Sequence, residues 1–306
     1  MLRIPAAIAV LGLSALTLAA CASAPSAASC ERVDSDASVL DVIDPSGAFG
    51  APGVAIGTYV HAPQTVFTDA TVGDGTRVTS DLQDVAFTVT LVNGDTGERV
   101  TSGSTQPQPV SAWRENYNGL ATMLMCATEG SRIVGAIPAS DLSQAAAQGF
   151  GLSDDQSLAV VLDLTKVYLP AADGAPQYND RRGMPSVVLA PDGRPGVIVP
   201  DADAPADPVV QTLKKGSGAA VAETDSVRVH YTSVDWKTRR VLSSTWENGA
   251  STAVKPTEAS VPFAGDLVGV TVGSQLLIVL PPTADGKAAT IYVVDVLGID
   301  AAATSQ

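Results

Sequence analysis

The chain has 306 residues, of which 45% are hydrophobic and 16% charged, and its formal net charge at pH 7 is −14. Such acidity repels phosphate backbones, which argues against nucleic acid as a partner. Two histidines, His61 and His230, and three cysteines give no convincing set of zinc ligands. Nucleophile elbows, phosphate-binding loops and dinucleotide fingerprints are also absent from the sequence, so we expect neither a metal nor a cofactor.

Residues 1–20 are typical of an export signal. One cation, Arg3, precedes an apolar stretch from Ile8 to Ala20, which is too short to span a bilayer. The stretch ends in Leu-Ala-Ala before Cys21, which is the small-residue pattern of a bacterial lipobox. We therefore expect cleavage before Cys21, lipidation of its thiol, and anchoring on the extracytoplasmic face of the cell membrane. The alternative is an ordinary secretory signal or an uncleaved anchor, with Cys21 incidental.

Residues 21–38 are rich in small side chains and predict a flexible tether. Once Cys21 is assigned to the lipid, Cys30 and Cys126 remain as an even pair in an oxidising compartment, which predicts a disulfide between them. Two buried free thiols are the alternative.

The rest of the chain repeats itself around a proline-rich segment. Residues 170–208 hold eight of the 20 prolines and predict a linker with at most short edge strands, at Val187–Leu189 and Val197–Val199. The segments that match across this linker, at offsets of 141 to 143, are Val85–Thr90 with Val227–Thr232, Val100–Ser102 with Val241–Ser243, and Gly130–Pro138 with Gly273–Pro281. Each copy closes on an apolar strand, Leu158–Val167 and Ile291–Ile299, with Asp163 and Asp295 in register.

Alternating apolar and polar residues predict strands, and each copy has one short helical candidate, Val110–Cys126 and Phe263–Val268. The expected fold class is α+β, an antiparallel sheet packed on one short helix in each of two tandem domains. The expected domains are 39–169 and 209–300, joined by the linker 170–208 and followed by a tail, 301–306.

The second copy resembles the FKBP-type peptidyl-prolyl isomerases. The motif Val-Arg-Val-His-Tyr-Thr at 227–232, then Val-Leu-Ser-Ser at 241–244 and a Gly-ended tail, follows the family's order. Pro262-Phe263, Val272-Gly273-Ser274 and the last strand complete the set, over about residues 209–299. The resemblance implies a sheet half-wrapped around a short helix, with a proline-binding pocket between them.

Carried over residue by residue, the resemblance implies a substrate pocket lined by Tyr231, Val241, Phe263 and Tyr292, with no assigned catalytic residue. Phe263 stands where the family usually has Trp, and Val241 where it has Phe. The sequence also departs from the pattern. Leu242 replaces the pocket Asp, Ser260 replaces an apolar residue, and the eight residues between Pro282 and Ile291 are too few for the family's long flap.

The first copy has diverged further. Val89 matches Tyr231, Leu120 falls near Phe263 and Val160 near Tyr292, which predicts a pocket without aromatic lining. Its longer loop, with Gly149-Phe150-Gly151, is a candidate relic of the flap. We expect this copy to be a spacer or a binding module.

Two functional hypotheses remain open. One is a weak extracytoplasmic prolyl isomerase that assists the folding of exported, proline-containing polypeptides; this needs no strong acid, base or metal, because only an amide is twisted. The other is a non-catalytic lipoprotein that binds unfolded segments in its cleft or at a sheet edge. Taken alone, each aromatic residue is more often a core residue than a pocket wall; only together, in the family's order, do the rings favour a cleft as much as a core.

Overall fold

The computed structural model describes residues 30–32, 35, 37–179, 181–284 and 286–300. The predicted signal peptide, the lipidation site Cys21 and the tail 301–306 lie outside these residues. The chain after Arg32 forms one compact unit. It is mostly sheet with few helices, in agreement with the expected α+β class. Among the described helices, none has the length and apolar character that a membrane crossing requires.

The described fold begins with a short hairpin. A 3₁₀ turn, Ser38–Val42, leads into β1 (Ile43–Ser46), which pairs antiparallel with β2 (Gly53–Ile56). Gly47 at the hairpin turn has a φ of 79°, and a Cβ there would lie 2.3 Å from the carbonyl oxygen of Ala51. The turn therefore requires glycine.

The amino-terminal sheet follows the hairpin. Its strands, all antiparallel to their neighbours, are β3 (Val66–Thr71), β4 (Asp84–Asn93), β5 (Arg99–Ser104), β6 (Gln108–Pro109), β7 (Arg132–Pro138) and β8 (Ser157–Val167). Their order across the sheet is β3-β7-β8-β4-β5, with β6 added beside β4.

Three short helices accompany this sheet. The predicted helix Val110–Cys126 is split into α1 (Val110–Asn116) and α2 (Asn118–Leu124), because Tyr117 leaves helical geometry with a φ of −136° and a ψ of 58°. The third helix, α3 (Gln144–Gly149), is not anticipated by the sequence pattern, although Ser143 caps it by accepting a hydrogen bond from the amide of Ala146.

The proline-rich segment 170–208 contains packed structure rather than a bare connection. It holds β9 (Ala175–Pro176), β10 (Ser186–Leu189) and β11 (Pro195–Ile198), and the last two form a second hairpin close to the predicted edge strands. Pro195-Gly196-Val197 in this hairpin lies 143 residues after Pro52-Gly53-Val54 in the first. The spacing equals the repeat offset, so each sheet is preceded by a corresponding hairpin.

The carboxy-terminal sheet is built from β12 (Val209–Lys215), β13 (Val227–Asp235), β14 (Val241–Ser244), β15 (Thr252–Val254), β16 (Gln275–Leu280) and β17 (Thr290–Ile299). Its order is β14-β13-β17-β16-β12-β9, with β15 beside β13. The helical candidate Phe263–Val268 is a single 3₁₀ turn, Ala264–Leu267.

The two sheets correspond in order and in their irregularities. The strand order β5-β4-β8-β7-β3 matches β14-β13-β17-β16-β12. Three bulges of the amino-terminal sheet have counterparts in the carboxy-terminal sheet. Ala86/Phe87 matches Arg228/Val229, Asp69/Thr71 matches Thr212/Lys214, and Leu91/Val92 matches Ser233/Val234. Strand pairing sets Arg99 opposite Val92 and Val241 opposite Val234, so Val241 corresponds to Arg99. The sequence match of Val241 with Val100 was wrong by one residue.

Each sheet has two buried faces, as alternation along a strand allows. The inner face of the amino-terminal sheet packs against α2, through residues such as Phe87 and Leu162, and its outer face packs on the first hairpin. In the carboxy-terminal sheet, Val229 and Val294 face the 3₁₀ turn, and the outer face packs on the second hairpin. Helix, sheet and hairpin thus form three layers in both halves.

Polar contacts join the two sheets. Tyr168, just after β8, donates its hydroxyl to Asp300 at 2.7 Å, and Arg228 Nε donates to the same carboxylate at 2.9 Å. Arg228 also lies 3.7 Å from Asp84, whose pKa is raised by burial. The amide of Leu169 donates to the carbonyl of Leu297 at 3.0 Å, which continues the connection through the main chain.

Cys30 and Cys126 are both disulfide-bonded, which confirms the predicted pair. Cys126 has a φ of 62°, a left-handed conformation that few non-glycine residues adopt.

Candidate functional site

Three aromatic rings meet on the inner face of the carboxy-terminal sheet. Tyr231 projects from β13 and Tyr292 from β17, and Phe263 stands at the start of the 3₁₀ turn that packs on both strands. The ring centroids of Tyr231 and Phe263 are 5.4 Å apart at an interplanar angle of 63°, and those of Phe263 and Tyr292 are 5.3 Å apart at 56°. The first pair is edge-to-face, which is a favourable geometry for aromatic rings, and the second is tilted.

The ring cluster is closed at its base and accessible at its walls. Phe263 is fully buried, whereas Tyr231 and Tyr292 are half-buried. The pKa of Tyr292 is raised, first by burial and second by the proximity of Tyr231. The hydroxyl groups of both tyrosines lie beside the buried ring of Phe263, and the hydroxyl of Tyr231 lies 3.5 Å from Ser243 Oγ.

The other predicted pocket residue, Val241, is not part of this cluster. It is half exposed and lines a different hollow with Thr232, which follows Tyr231 on β13 and therefore points to the opposite face. Leu242, at the position of the family's Asp, is exposed and offers no acceptor, and Ser260 is also exposed. Nine residues, 281–289, connect β16 to β17, so no long flap covers the rings.

The outer face behind the rings carries buried polar side chains. His230 stacks on Trp246 with centroids 4.2 Å apart, and its Nδ1 lies 2.8 Å from Thr245 Oγ1. Burial lowers the pKa of His230 to about 4. Its neighbour across the ladder, Asp295, accepts hydrogen bonds from Gln275 and from the amide of Ala172, while burial raises its pKa to about 6.

In the amino-terminal sheet the corresponding residues do not form an open hollow. Val89, Leu120 and Val160 are all buried in one apolar core. The expectation of a pocket without aromatic lining needs correction, because other elements bring aromatic side chains to this core. Phe150, from the loop that the sequence suggested as a flap relic, lies 5.9 Å from Tyr117 between ring centroids. The chain of rings continues from Tyr117 through Trp113 to Phe87.

Sequence reasoning missed this second aromatic cluster because Trp113 and Tyr117 belong to α1 and its end, outside the family's pocket motif. The i to i+4 spacing of the two rings was the one local signal that could have paired them. The described residues contain no group of three or more side chains suited to hold a metal ion.

Comparison with known proteins identifies one curated relative of note. A probable FK506-binding protein of Corynebacterium glutamicum is 28% identical over 91 residues, which cover 30% of this chain and 77% of that protein. No family model matches the chain.

Solved structures are similar at lower identity. The three FKBP domains of wheat FKBP73 match at 15% identity and a TM-score of 0.33, covering 77% of this chain and 94% of that one. FkpA from Escherichia coli matches at 16% identity and a TM-score of 0.28, covering 39% of this chain and 53% of that one.

Proposed function

From the resemblance to the FKBP-type family, which the curated relative confirms, we propose that this chain is an extracytoplasmic, lipid-anchored peptidyl-prolyl isomerase of low activity. Its two sheets, each with its own hairpin, are tandem FKBP-like domains, the first within residues 39–169 and the second within 209–300 preceded by the hairpin of β10 and β11. The proline site is the ring hollow of the second domain.

The convergence of Tyr231, Phe263 and Tyr292 carries this proposal. Twisting an Xaa–Pro amide costs about 18–20 kcal/mol in the uncatalysed reaction, because the planar form is stabilised by resonance. The twisted amide has lost this resonance and is less polar, so an apolar hollow favours it over the planar form. The two half-buried tyrosine rings contact the pyrrolidine ring and supply hydroxyl groups, and the buried ring of Phe263 packs beneath them and holds them apart.

The same site explains why the proposed activity is low. An acceptor is lacking at Leu242, and an exposed serine stands at 260 in place of an apolar wall. The short connection 281–289 leaves the bound amide open to water, which keeps the planar form solvated. A shallow hollow of this kind holds proline weakly.

The membrane association follows from Cys21, which we propose is acylated after removal of residues 1–20. Its substrates would then be proline-containing or unfolded exported polypeptides. Metabolic labelling with a radioactive fatty acid tests this: the wild-type chain should be labelled and recovered with membranes, and Cys21→Ser should be neither. Unlabelled wild-type protein in the soluble fraction would refute the anchor without touching the proline site.

The isomerase proposal is tested by the exchange rate of a short peptide with one Xaa–Pro bond, measured by NMR with the protein from residue 22 onward. We expect acceleration that Tyr231→Ala and Phe263→Leu each reduce by at least about tenfold, or about 1.4 kcal/mol. Tyr178→Ala is the matched control, because Tyr178 is 91% exposed and follows β9, the edge strand that β12 and β16 separate from the strands of the two tyrosines. Equal rates for Tyr231→Ala and Tyr178→Ala would refute the assignment.

A gain of activity would be stronger evidence than a loss. Leu242→Asp restores the family's acceptor, and Phe263→Trp restores its usual floor. We expect the double variant to isomerise the peptide faster than the wild-type protein.

The second candidate function is non-catalytic binding of polypeptides in the same hollow. The exposed hydrocarbon of Leu242 favours it, because binding an apolar segment does not require a carboxylate. This candidate is supported if the wild-type protein binds the peptide, Tyr231→Ala abolishes the binding, and no acceleration is measured.

A further inference from the structure

A groove of about 430 Å³ lies on the outer face of the carboxy-terminal sheet, away from the ring hollow. One side is formed by the second hairpin, through Val188, Leu189 and Pro195, and the other by Thr232 and Val241 of β13 and β14. Tyr231 and Thr232 are consecutive on β13, so the groove and the rings lie on opposite faces. The groove is thus a separate surface, and its role does not depend on isomerase activity.

Several apolar side chains of the groove are exposed to water, which is energetically unfavourable. Val188 is 54% exposed and Val241 is 50% exposed, and Leu189 beside them is also exposed. Several large aliphatic side chains grouped at one site are typical of a binding surface, whereas single ones are ordinary.

The equivalent position in the amino-terminal sheet shows that this apolar character is specific to one copy. A hollow of about 330 Å³ lies there between the first hairpin and β4 and β5. Pro52 corresponds to Pro195 and Thr90 to Thr232, so the framework is shared. Arg99, however, stands where the carboxy-terminal copy has Val241. The same framework is polar in one copy and apolar in the other.

A strand edge borders the apolar groove. β14 is the last strand on its side of the sheet, and no described strand pairs with its outer side. The main-chain groups of such an edge can pair with an added extended segment, whose alternate side chains then enter the neighbouring groove. Because β14 has only four residues, it can accept a short segment and not a whole sheet.

Charges at the groove further define its occupant. Arg194 and Glu247 both line it, both are exposed, and neither takes part in an ion pair among the described residues. A segment with one acidic and one basic side chain flanking its apolar residues complements both charges.

We propose that this groove binds an extended, apolar polypeptide segment with charged flanks, which adds as a strand to the free edge of β14. The segment's alternate apolar side chains contact Val188, Leu189 and Val241, and its main chain pairs with β14. The chain therefore has a second polypeptide-binding surface, on the face opposite the rings.

The test uses a fluorescein-labelled peptide of alternating valine and serine between one lysine and one glutamate, titrated with the protein from residue 22 onward. Val241→Arg introduces the residue of the amino-terminal copy, and we expect it to weaken binding at least about tenfold. Ile198→Arg is the matched control, because Ile198 is an exposed aliphatic residue of the same hairpin that does not line the groove. It should bind like the wild-type protein, and circular dichroism should show that both variants are folded.

Two further measurements separate the alternatives. A peptide N-methylated at alternate residues keeps its side chains and loses its strand hydrogen bonds, so we expect it to bind much more weakly. Tyr231→Ala should leave peptide affinity unchanged, since its ring lies on the other face. Unchanged affinity in Val241→Arg, or equal binding of the N-methylated peptide, would overturn the proposal. So would a wild-type dimer that Val241→Arg dissociates in sedimentation equilibrium, because the occupant would then be a second copy of this chain.

Discussion

The amino-terminal and carboxy-terminal sheets share their strand order and their bulges, yet their buried polar positions are occupied differently. On the outer face of the first, Arg132 forms a bidentate pair with Asp163 at 2.7 and 2.8 Å and also donates to carbonyls of the first hairpin turn. In the second, Gln275 stands at the place of Arg132 and donates one bond to Asp295. One backbone thus supports either an ion pair with an arginine or a hydrogen bond from an uncharged glutamine.

The inner faces differ in the same way. Rings from α1 and the loop after α3 cover the core around Val89 in the amino-terminal sheet, whereas in the carboxy-terminal sheet Tyr231 and Tyr292 stay half-buried beside the buried ring of Phe263. The shared framework fixes where side chains meet, while the side chains themselves decide whether a position is packed or accessible. In the amino-terminal copy these positions are filled by packing. In the carboxy-terminal copy the ring cluster and the outer-face groove remain partly exposed to solvent.

The largest expected effect concerns the outer-face carboxylates. Asp163→Asn would leave the guanidinium of Arg132 without its counter-charge in a site where Asp163 is fully buried, so we expect a loss of about 4 kcal/mol in unfolding free energy. Asp295→Asn keeps only one of the two acceptor oxygens that bind Gln275 and the amide of Ala172, so it should cost about 2 kcal/mol at pH 7. Urea unfolding followed by circular dichroism measures both. Equal losses would contradict the distinction between a carboxylate that pairs with arginine and one that accepts from glutamine.

The next prediction tests the equivalence of the two copies. A Cβ on Gly73 would lie 2.1 Å from the carbonyl oxygen of Glu129, and one on Gly216 would lie 2.1 Å from that of Val272. Gly73→Ala and Gly216→Ala should therefore each destabilise the protein by about 3 kcal/mol. Gly265→Ala, where a Cβ meets nothing within 4 Å, is the control and should change stability little. A large loss of stability in only one of these two variants would show that the two glycine turns are not equivalent.

A smaller effect is expected in the pH dependence of stability. The folded pKa of His230 is lowered to about 4 from the ordinary 6.5, so the unfolded chain binds a proton in this window that the folded chain does not. Unfolding free energy must then fall as pH decreases from 6.5 to 4. Asp295, with its pKa raised from 3.8 to about 6, acts in the opposite direction, because the folded chain binds the proton first.

Variants of these two residues should separate the opposing contributions. Between pH 6.5 and 4.5, His230→Asn should lose less stability than the wild-type protein, with a relative gain of about 2 kcal/mol. Asp295→Asn should lose more. Thr88 takes the place of His230 in the amino-terminal sheet, so Thr88→Val should leave the slope unchanged. Parallel profiles for all three variants would show that neither group is coupled to folding.

The smallest predicted effect concerns the closed core of the amino-terminal sheet. Phe150→Ala removes the half-buried ring that contacts Tyr117, and we expect a loss of about 1.5 kcal/mol with no change in peptide isomerisation. Phe49→Ala, at an exposed ring of the first hairpin turn, should change stability by less than about 0.5 kcal/mol. Altered isomerisation in Phe150→Ala would show that the amino-terminal sheet contributes to the reaction.

Much of the candidate site could be predicted from the sequence. The family resemblance named Tyr231, Phe263 and Tyr292, and the structure brings these rings together, although their role in binding stays a prediction. Val241 was grouped with them and lies on the other face, because a bulge between β13 and β14 shifts the register beyond Ser233. Bulges leave no signal in an alternating pattern, so the face of a residue beyond one cannot be read from the sequence.

The hairpin of β10 and β11 was taken as part of a linker for a related reason. The sequence pattern of a proline-rich segment predicts no regular structure, yet prolines are tolerated in short edge strands that pair mainly with each other. Their burial against Val279 and Val293 depends on strands that follow much later in the chain. Likewise, Phe150 and Tyr117 belong to elements that are distant in the sequence, so no local pattern predicts their contact.

The sequence alone predicted the repeated strand pattern, the disulfide pair and the three aromatic residues that meet in the ring cluster, from side-chain alternation, the cysteine count and motif order. The tertiary structure decided that the tyrosines of the ring cluster stay half-buried while the core around Val89 is closed. It also decided which face Val241 occupies and how Arg228 joins the two sheets. These depend on pairings between distant segments, whose free energy comes from burial and hydrogen bonds that form only when the whole chain is folded.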